Sequence, residues 1–387
     1  KIDWLLVLLF LFLVGFGWMN IYAASRTTED SELLSFTTKH GKQFIFICCT
    51  IPLIVLILFF NSKFYEKFSS IFYLISIASL IGLFVFGKKI NGATSWYNFG
   101  SIGLQPSEFV KAFTALAIAK LLSDRKYNLK LIKNQIKAFI IIFTPAILIT
   151  LQPDAGSALI YLAFFLVLNR EGLTLNYLLF GALLILVFIL IIFFGYIPIS
   201  LWLIGLISIG LFYAIYRGGK RFIRFNWHKV LMIYVLTILF TFGTNFTYNT
   251  IFKQHHRDRF EVLLGLKIDT KNIGYNSYQS ELTISSGSWT GKGFLKGDIT
   301  KGDFVPEQHT DYIFSTVGEE WGFIGSSFVI LLFMLMLYRI IYLAEKHTNK
   351  FGRIYGYGVA SILFFHLIIN LGMVIGLMPT VGIPLPF

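Results

Sequence analysis

Apolar residues run through the chain in long blocks, broken at intervals by short polar stretches. The blocks fall at 4–22, 44–60, 71–86, 107–122, 138–151, 155–168, 177–194, 201–216, 230–246, 323–343 and 357–378. An α-helix needs roughly 20 predominantly apolar residues to cross the hydrocarbon core of a bilayer. The pattern therefore predicts eleven membrane spans, of which 138–151 and 155–168 are short enough to be one bent element. No internal repeat or low-complexity linker divides them. The expected fold class is an all-α polytopic membrane protein. It is a helical bundle forming a single membrane domain over 1–387, with one large extracytoplasmic loop at 250–311.

Composition agrees: the chain is 56% hydrophobic and 14% charged, against about a quarter charged in soluble domains. The net charge of +13 would suggest a nucleic-acid partner in a soluble protein. Here its distribution argues against one. With Lys1 placed in the cytoplasm, the inner loops hold Lys63 and Lys67, then Lys120, Arg125, Lys126, Lys130, Lys133 and Lys137. They also hold Arg170, then Arg217, Lys220, Arg221, Arg224 and Lys229, and finally Arg339, Lys346, Lys350 and Arg353. The short outer loops hold only Arg26, Lys39, Lys42, Lys88 and Lys89. This is a positive-inside signal, and it puts the 250–311 loop outside. Cys48 and Cys49, adjacent in an apolar run, imply neither a disulfide framework nor a zinc site. The first block is expected to be a retained span, not a signal peptide. A start without Met and a stop at Phe387 in mid-motif make both ends look incomplete.

Candidate chemistry gathers in a few polar stretches. Pro106 suits the first turn of a helix, and Glu108 in that turn faces a favourable dipole. Lys111 lies one turn further on the same face. An ammonium there is costly unless it is paired or meets water, so Glu108 and Lys111 are expected to line a polar cleft. Asp154 reads as an N-cap for the helix from Ala155, or as a carboxylate of the same cleft. In the large loop, Arg257-Asp258-Arg259 precedes the glycine-rich run Gly287–Gly293, where backbone amides and Lys292 could hold a lipid-linked pyrophosphate or merely build an ordered surface loop. No Ser or Thr follows Lys292, so a nucleotide P-loop does not fit. Glu307, His309, Thr310 and Asp311 lie just before the tenth block. Thr310 or Asp311 could cap a helix starting near Tyr312, or Asp311 could be a working carboxylate. His255, His256 and His309 lack metal-ligand spacing.

Taken in order, these motifs resemble the SEDS family (shape, elongation, division and sporulation). The residues that carry the resemblance are Gly92-Ala93 with Trp96, Gln105-Pro-Ser-Glu108 with Lys111, Gln152-Pro-Asp154-Ala-Gly156 and Gly291-Lys-Gly293. With them go Pro306-Glu307-Gln-His-Thr-Asp311, Gly318-Glu-Glu320 and Gly382-Ile-Pro-Leu-Pro-Phe387. Asp-Trp near the start and the closing Gly-Ile-Pro-Leu-Pro-Phe look more like the elongation branch than the division branch. The resemblance implies a peptidoglycan glycosyltransferase that polymerises lipid II, with a class B penicillin-binding protein as transpeptidase partner and other elongation-complex proteins around it. It puts the essential aspartate on Asp311, a polar pair on Glu108 and Lys111, and a loop tryptophan on Trp96. Beside these, Lys111, Arg259 and Lys292 are candidates to neutralise a departing pyrophosphate, and Asp154, Glu307, His309 and Thr310 complete the expected substrate-binding set. No cofactor is certain; a divalent cation, magnesium or manganese, is a candidate to share the phosphate charge. One departure is plain. The family has ten spans, and 177–246 here holds three apolar runs where one is expected. The rival reading is a transporter, a lipid II flippase, which should carry a polar path through to the cytoplasmic side.

Overall fold

The computed structural model describes residues 2–26, 38–90, 93–100, 102–252, 254–267 and 274–386, with backbone only at 90, 99, 102, 218–226, 251, 255 and 256. Gly92 and Phe387, two carriers of the family resemblance, lie outside the described residues, as do the side chains of His255 and His256. The chain divides into two compact units: residues 1–173 with 276–387, and residues 174–275. The loop expected at 250–311 thus contributes to both.

In the first unit the helices are α1 (Trp4–Ser25), α2 (Lys39–Phe59), α3 (Ser62–Phe86), α4 (Pro106–Ser123), α5 (Ile132–Leu151), α6 (Ala155–Leu159) and α7 (Phe164–Arg170). The second unit holds α8 (Asn176–Phe194), α9 (Tyr196–Phe246) and α10 (Gln254–Leu263). The chain then returns to the first unit through α11 (Tyr275–Ser286), α12 (Asp298–Lys301), α13 (Ile313–Lys346) and α14 (Lys350–Val374). Every predicted block falls on a helix. Nine helices among the described residues are long and apolar enough to cross a membrane. The other two predicted spans are α4, with its polar first turn, and Ala155–Arg170, which is short. The protein is a multi-span membrane protein. The two short blocks are separate elements, parted by the turn at 152–154.

Two apolar cores fill the first unit. One gathers Leu80, Val110, Ile118, Ile142, Ile160 and Phe164 from α3 to α7. The other gathers Leu13, Phe314, Val329, Phe333 and Met336 from α1 and α13. Helix α14 serves both, with Ile354 and Ile369 in the first and Leu367 and Met373 in the second. It approaches α4 closely because Gly358 has no side chain: a Cβ there would lie 3.1 Å from that of Ala115. At the far end of the bundle, Asp3 caps α1 and takes both Nε (3.1 Å) and Nη2 (2.6 Å) of Arg339 on α13.

Between α3 and α4 the chain forms a small antiparallel sheet, β1 (Lys88–Ile90), β2 (Ala93–Phe99) and β3 (Ile102–Leu104). Its strands are too short to show an alternation of apolar and polar positions in the sequence. Tyr97 Oη donates to Ser79 O of α3 at 2.7 Å, and the amide of Thr94 donates to Gln152 O at 3.1 Å. These bonds fix the hairpin against α3 and the turn that precedes α6.

Helix α13 is broken at Gly322 (φ 66°, ψ −164°), one residue before the predicted start of that span. The glycine-rich loop fills the gap. The amides of Lys292 and Gly293 donate to the carbonyls of Glu319 and Glu320, while those of Phe323 and Ile324 donate to Ser288 O and Trp289 O. The break therefore leaves none of these groups unpaired, as burial requires. A Cβ on Gly291 would sit 2.2 Å from Glu320 O.

In the second unit α9 doubles back on itself. Ser208 Oγ lies 2.8 Å from Tyr234 Oη although 26 residues separate them, about 39 Å along a straight helix. Its two arms supply the spans Tyr196–Arg217 and Trp227–Thr250. Ile199, Leu203 and Phe240 pack with Val187 and Ile191 of α8. The three apolar runs at 177–246 are thus three helical segments, each long and apolar enough to cross a membrane.

Candidate active site

The polar cluster forms where α4, α6 and α14 meet the segments on either side of them. Helix α4 begins at Pro106 with Gln105 as N-cap and Glu108 in the first turn. Lys111 Nζ lies 2.8 and 2.9 Å from the two carboxylate oxygens of Glu108, as the three-residue spacing predicts. Its third neighbour comes from a residue 255 positions away: His366 Nε2 on α14, at 2.7 Å. Lys111 is 3% exposed and His366 5%, whereas the Glu108 side chain is 42% exposed. An ammonium has three protons, and all three are engaged.

Asp154 is the N-cap of α6, accepting from the Ser157 amide at 3.0 Å and its hydroxyl at 2.9 Å. It also accepts from Gln105 Nε2 at 3.1 Å, which ties it to the mouth of α4. Capping and membership of the cleft are both realised.

Asp311 is not a cap. Tyr312 takes the N-cap position of α13 and no side chain completes it, so the capping reading of Thr310 or Asp311 is corrected. Thr310 Oγ1 turns back to Glu307, at 3.2 Å from its carbonyl and 3.3 Å from Oε2. Asn370, one turn beyond His366 on α14, donates to the carbonyl oxygens of Asp311 and Ile383, each at 2.7 Å. The half-buried Asp311 carboxylate faces Gly382, where a Cβ would lie 3.3 Å from Oδ2. No donor or cation among the described residues neutralises it. Burial, then the negative charges of Glu307 and Asp154, raise its pKa to about 6. His309 stands beside Lys39 Nζ (3.2 Å) and Glu307 (3.7 Å), with its pKa lowered by burial and then by Lys39.

Beyond Val374 the chain leaves helical geometry, and 379–386 forms one wall of the cluster. Its carbonyls meet Asn370 and His366 (Pro384 O to His366 Nδ1, 3.3 Å). Gly156 lets α6 come in so close that a Cβ would fall 2.2 Å from Val381 O.

The remaining predicted residues lie elsewhere. Lys292 Nζ pairs with Glu319 (2.8 Å) and Asp298 (3.3 Å), and this pairing raises its pKa. Glu319, fully buried, also accepts from the amides of Ile299 and Thr300. With its amide on α13 as well, Lys292 fastens the loop to the broken helix. Trp96 packs in the hairpin, its ring 3.0 Å from where a Cβ on Gly103 would be. Arg259 lies in the second unit on α10. Among the described residues no three His, Cys, Asp or Glu side chains are arranged to hold a metal ion.

The chain matches the family of cell cycle proteins FtsW, RodA and SpoVE over residues 3–208 and 200–387. It belongs to that family. Within the FtsW/RodA/SpoVE proteins it is 28% identical to the Treponema pallidum peptidoglycan glycosyltransferase RodA over 406 residues, covering 99% of this chain and 92% of that protein. It is 28% identical to the Escherichia coli K12 peptidoglycan glycosyltransferase MrdB over 322 residues, 83% of this chain and 72% of the other. In structure it resembles a chain from a peptidoglycan synthase complex that coordinates polymerization and crosslinking. That likeness has a TM-score of 0.68 at 25% identity and covers 99% of this chain and 90% of the other. RodA-like membership accounts for the order of the motifs along the chain. His366 and Asn370 were legible in the sequence only as isolated polar residues in an apolar span.

Proposed function

We propose that the chain is a RodA-type peptidoglycan glycosyltransferase that polymerises lipid II, an undecaprenyl-pyrophosphate-linked disaccharide peptide. The observation that carries the reading is the Asp311 carboxylate, half-buried, with no cation beside it among the described residues, and with its pKa raised to about 6 by burial, then by Glu307 and Asp154. A general base works best when its pKa lies near the operating pH. Lipid II is an α-linked donor and the glycan linkage is β-1,4, so the reaction inverts configuration in one displacement. The acceptor hydroxyl loses its proton to Asp311 as its oxygen bonds to the anomeric carbon. The anomeric C–O bond breaks, and its electron pair leaves on the pyrophosphate. One carboxylate base suffices for such an inversion, as in inverting glycosidases. Lys111 is the cation for the departing phosphate, and Glu108, the exposed partner, is the one that yields to it. Asp154 orders the mouth of α4 through Gln105, while burial, then Glu307 and Asp154, keeps Asp311 basic. Glu307, His309 and Thr310 border the acceptor side. Trp96 is assigned to substrate binding on family resemblance alone, and Arg259 and Lys292 as cations that could meet the departing pyrophosphate.

The Lys and Arg bias supports an inner-membrane orientation with this cluster on the extracytoplasmic side. In a variant lacking Cys48 and Cys49, a cysteine at Ser286 should react with an impermeant maleimide in intact cells and one at Gly219 should not. Labelling of both would overturn the orientation. A class B penicillin-binding protein is the proposed partner, with other elongation-complex proteins.

The reaction class is tested with full-length protein and lipid II in detergent, where flipping has no meaning. Glycan polymer should form. Absence of polymer, together with lipid II movement across liposomes, would favour the flippase. The cluster speaks against that alternative, because the deeper polar residues, His366 and Asn370, join the same site instead of continuing a separate path.

A further inference from the structure

We infer that His366 is a positioning residue that seats Lys111 through Nε2 and keeps its ammonium aimed at the cleft when Glu108 gives way to a substrate phosphate. The inference rests on the polymerase reading and extends it to a side chain outside the family motifs. Lys111 has no free proton: two go to Glu108 and the third to His366. A phosphate oxygen can bind only by replacing one of these acceptors. Glu108 is 42% exposed and can pass to water. His366 is 5% exposed and cannot be rehydrated without opening the bundle.

The ring is also held from behind. Accepting from an ammonium requires a bare Nε2, so the proton sits on Nδ1. That nitrogen lies 3.3 Å from Pro384 O, which accepts it. Four residues on, Asn370 binds the carbonyls of Asp311 and Ile383. One face of α14 thus sets the cation and the base in a fixed relation. Catalytic geometry tolerates little error, and a misplacement of about 1 Å costs on the order of 100-fold.

The test compares three replacements in the full-length chain. The oxygen of His366→Gln overlays Nε2 and can accept from Lys111. The amide of His366→Asn overlays Nδ1 and reaches only Pro384, and His366→Leu does neither. Glycan polymerisation is followed against lipid II concentration. His366→Leu and His366→Asn are expected to lose about 10–100-fold in kcat with KM changed by less than about threefold, because phosphate charge grows as the bond breaks. His366→Gln should recover most of the loss. Equal activity of the Gln and Asn variants, or a loss confined to KM, would overturn the inference. A separate reading does not depend on activity. With 15N-labelled histidine, His366 should be the Nδ1–H tautomer in the wild type. An Nε2–H tautomer would refute the seat even if no glycan were ever made, whereas absence of polymer with the Nδ1–H tautomer present would count against the polymerase reading instead.

Discussion

Replacing Asp311 with Asn is expected to reduce glycan polymerisation by about 10²–10⁴, the usual cost of losing a general base, without unfolding the protein. The amide keeps the shape of the carboxylate beside Gly382, and the backbone carbonyl still accepts from Asn370. Stability should rise, with a sign set by linkage. The folded carboxylate has its pKa raised to about 6 by burial, then by Glu307 and Asp154, so folding favours the protonated form. Its contribution is full below the unfolded pKa, near 4, and is lost as pH rises through 6. At pH 8 the Asn variant should therefore be the more stable by on the order of 2–3 kcal/mol, and at pH 4 the difference should nearly vanish. Wild-type activity should fall as pH drops through about 6, and the residual activity of the variant should lack that limb. Denaturation of the two proteins at both pH values, with rate profiles across the range, checks all of this. Wild-type rates from Asp311→Asn would remove it as base.

Lys111→Met is expected to cost 10²–10³ in rate, the scale seen when one group stabilising transition-state charge is removed. Met keeps the length and suits the buried site. The variant leaves His366 Nε2 without its donor, at about 1–3 kcal/mol of stability, while exposed Glu108 passes to water. Lys111→Arg should not restore activity, because a planar guanidinium cannot serve both Glu108 oxygens and the ring from one nitrogen. Measuring lipid II turnover beside thermal unfolding separates the two effects. Full activity in a folded Lys111→Met protein would leave Lys111 a structural cation only.

The helices were legible because lipid-soluble blocks of spanning length have few other folds open to them. Local chemistry was legible too. Glu108 and Lys111 meet because they lie three apart on one helix, and Asp154 caps because it stands before Ala155. Asp311 defeated the same logic, since the helix starts two residues later and its carboxylate turns to the terminal segment. The bond between Lys111 and His366 spans 255 positions, and no local pattern names a partner at that distance. The glycines at 287–293 raised the idea of a phosphate cradle. The structure spends the amides of Lys292 and Gly293 on α13, because Gly322 had freed the carbonyls that needed them.

The wall at 381–384 has a consequence for how this site can vary over generations. It meets the polar cluster with main-chain atoms: the carbonyls of Val381, Ile383 and Pro384, and the bare Cα of Gly382. The side chains of Ile383 and Leu385 point instead into the two cores. A carbonyl is the same in every residue, so drift among aliphatic side chains at 383 and 385 leaves the catalytic surface unwritten on. The burden of identity falls on two positions without side chains, Gly156 and Gly382. The terminal segment can therefore exchange one aliphatic side chain for another at 383 and 385 while its main chain presents the same wall.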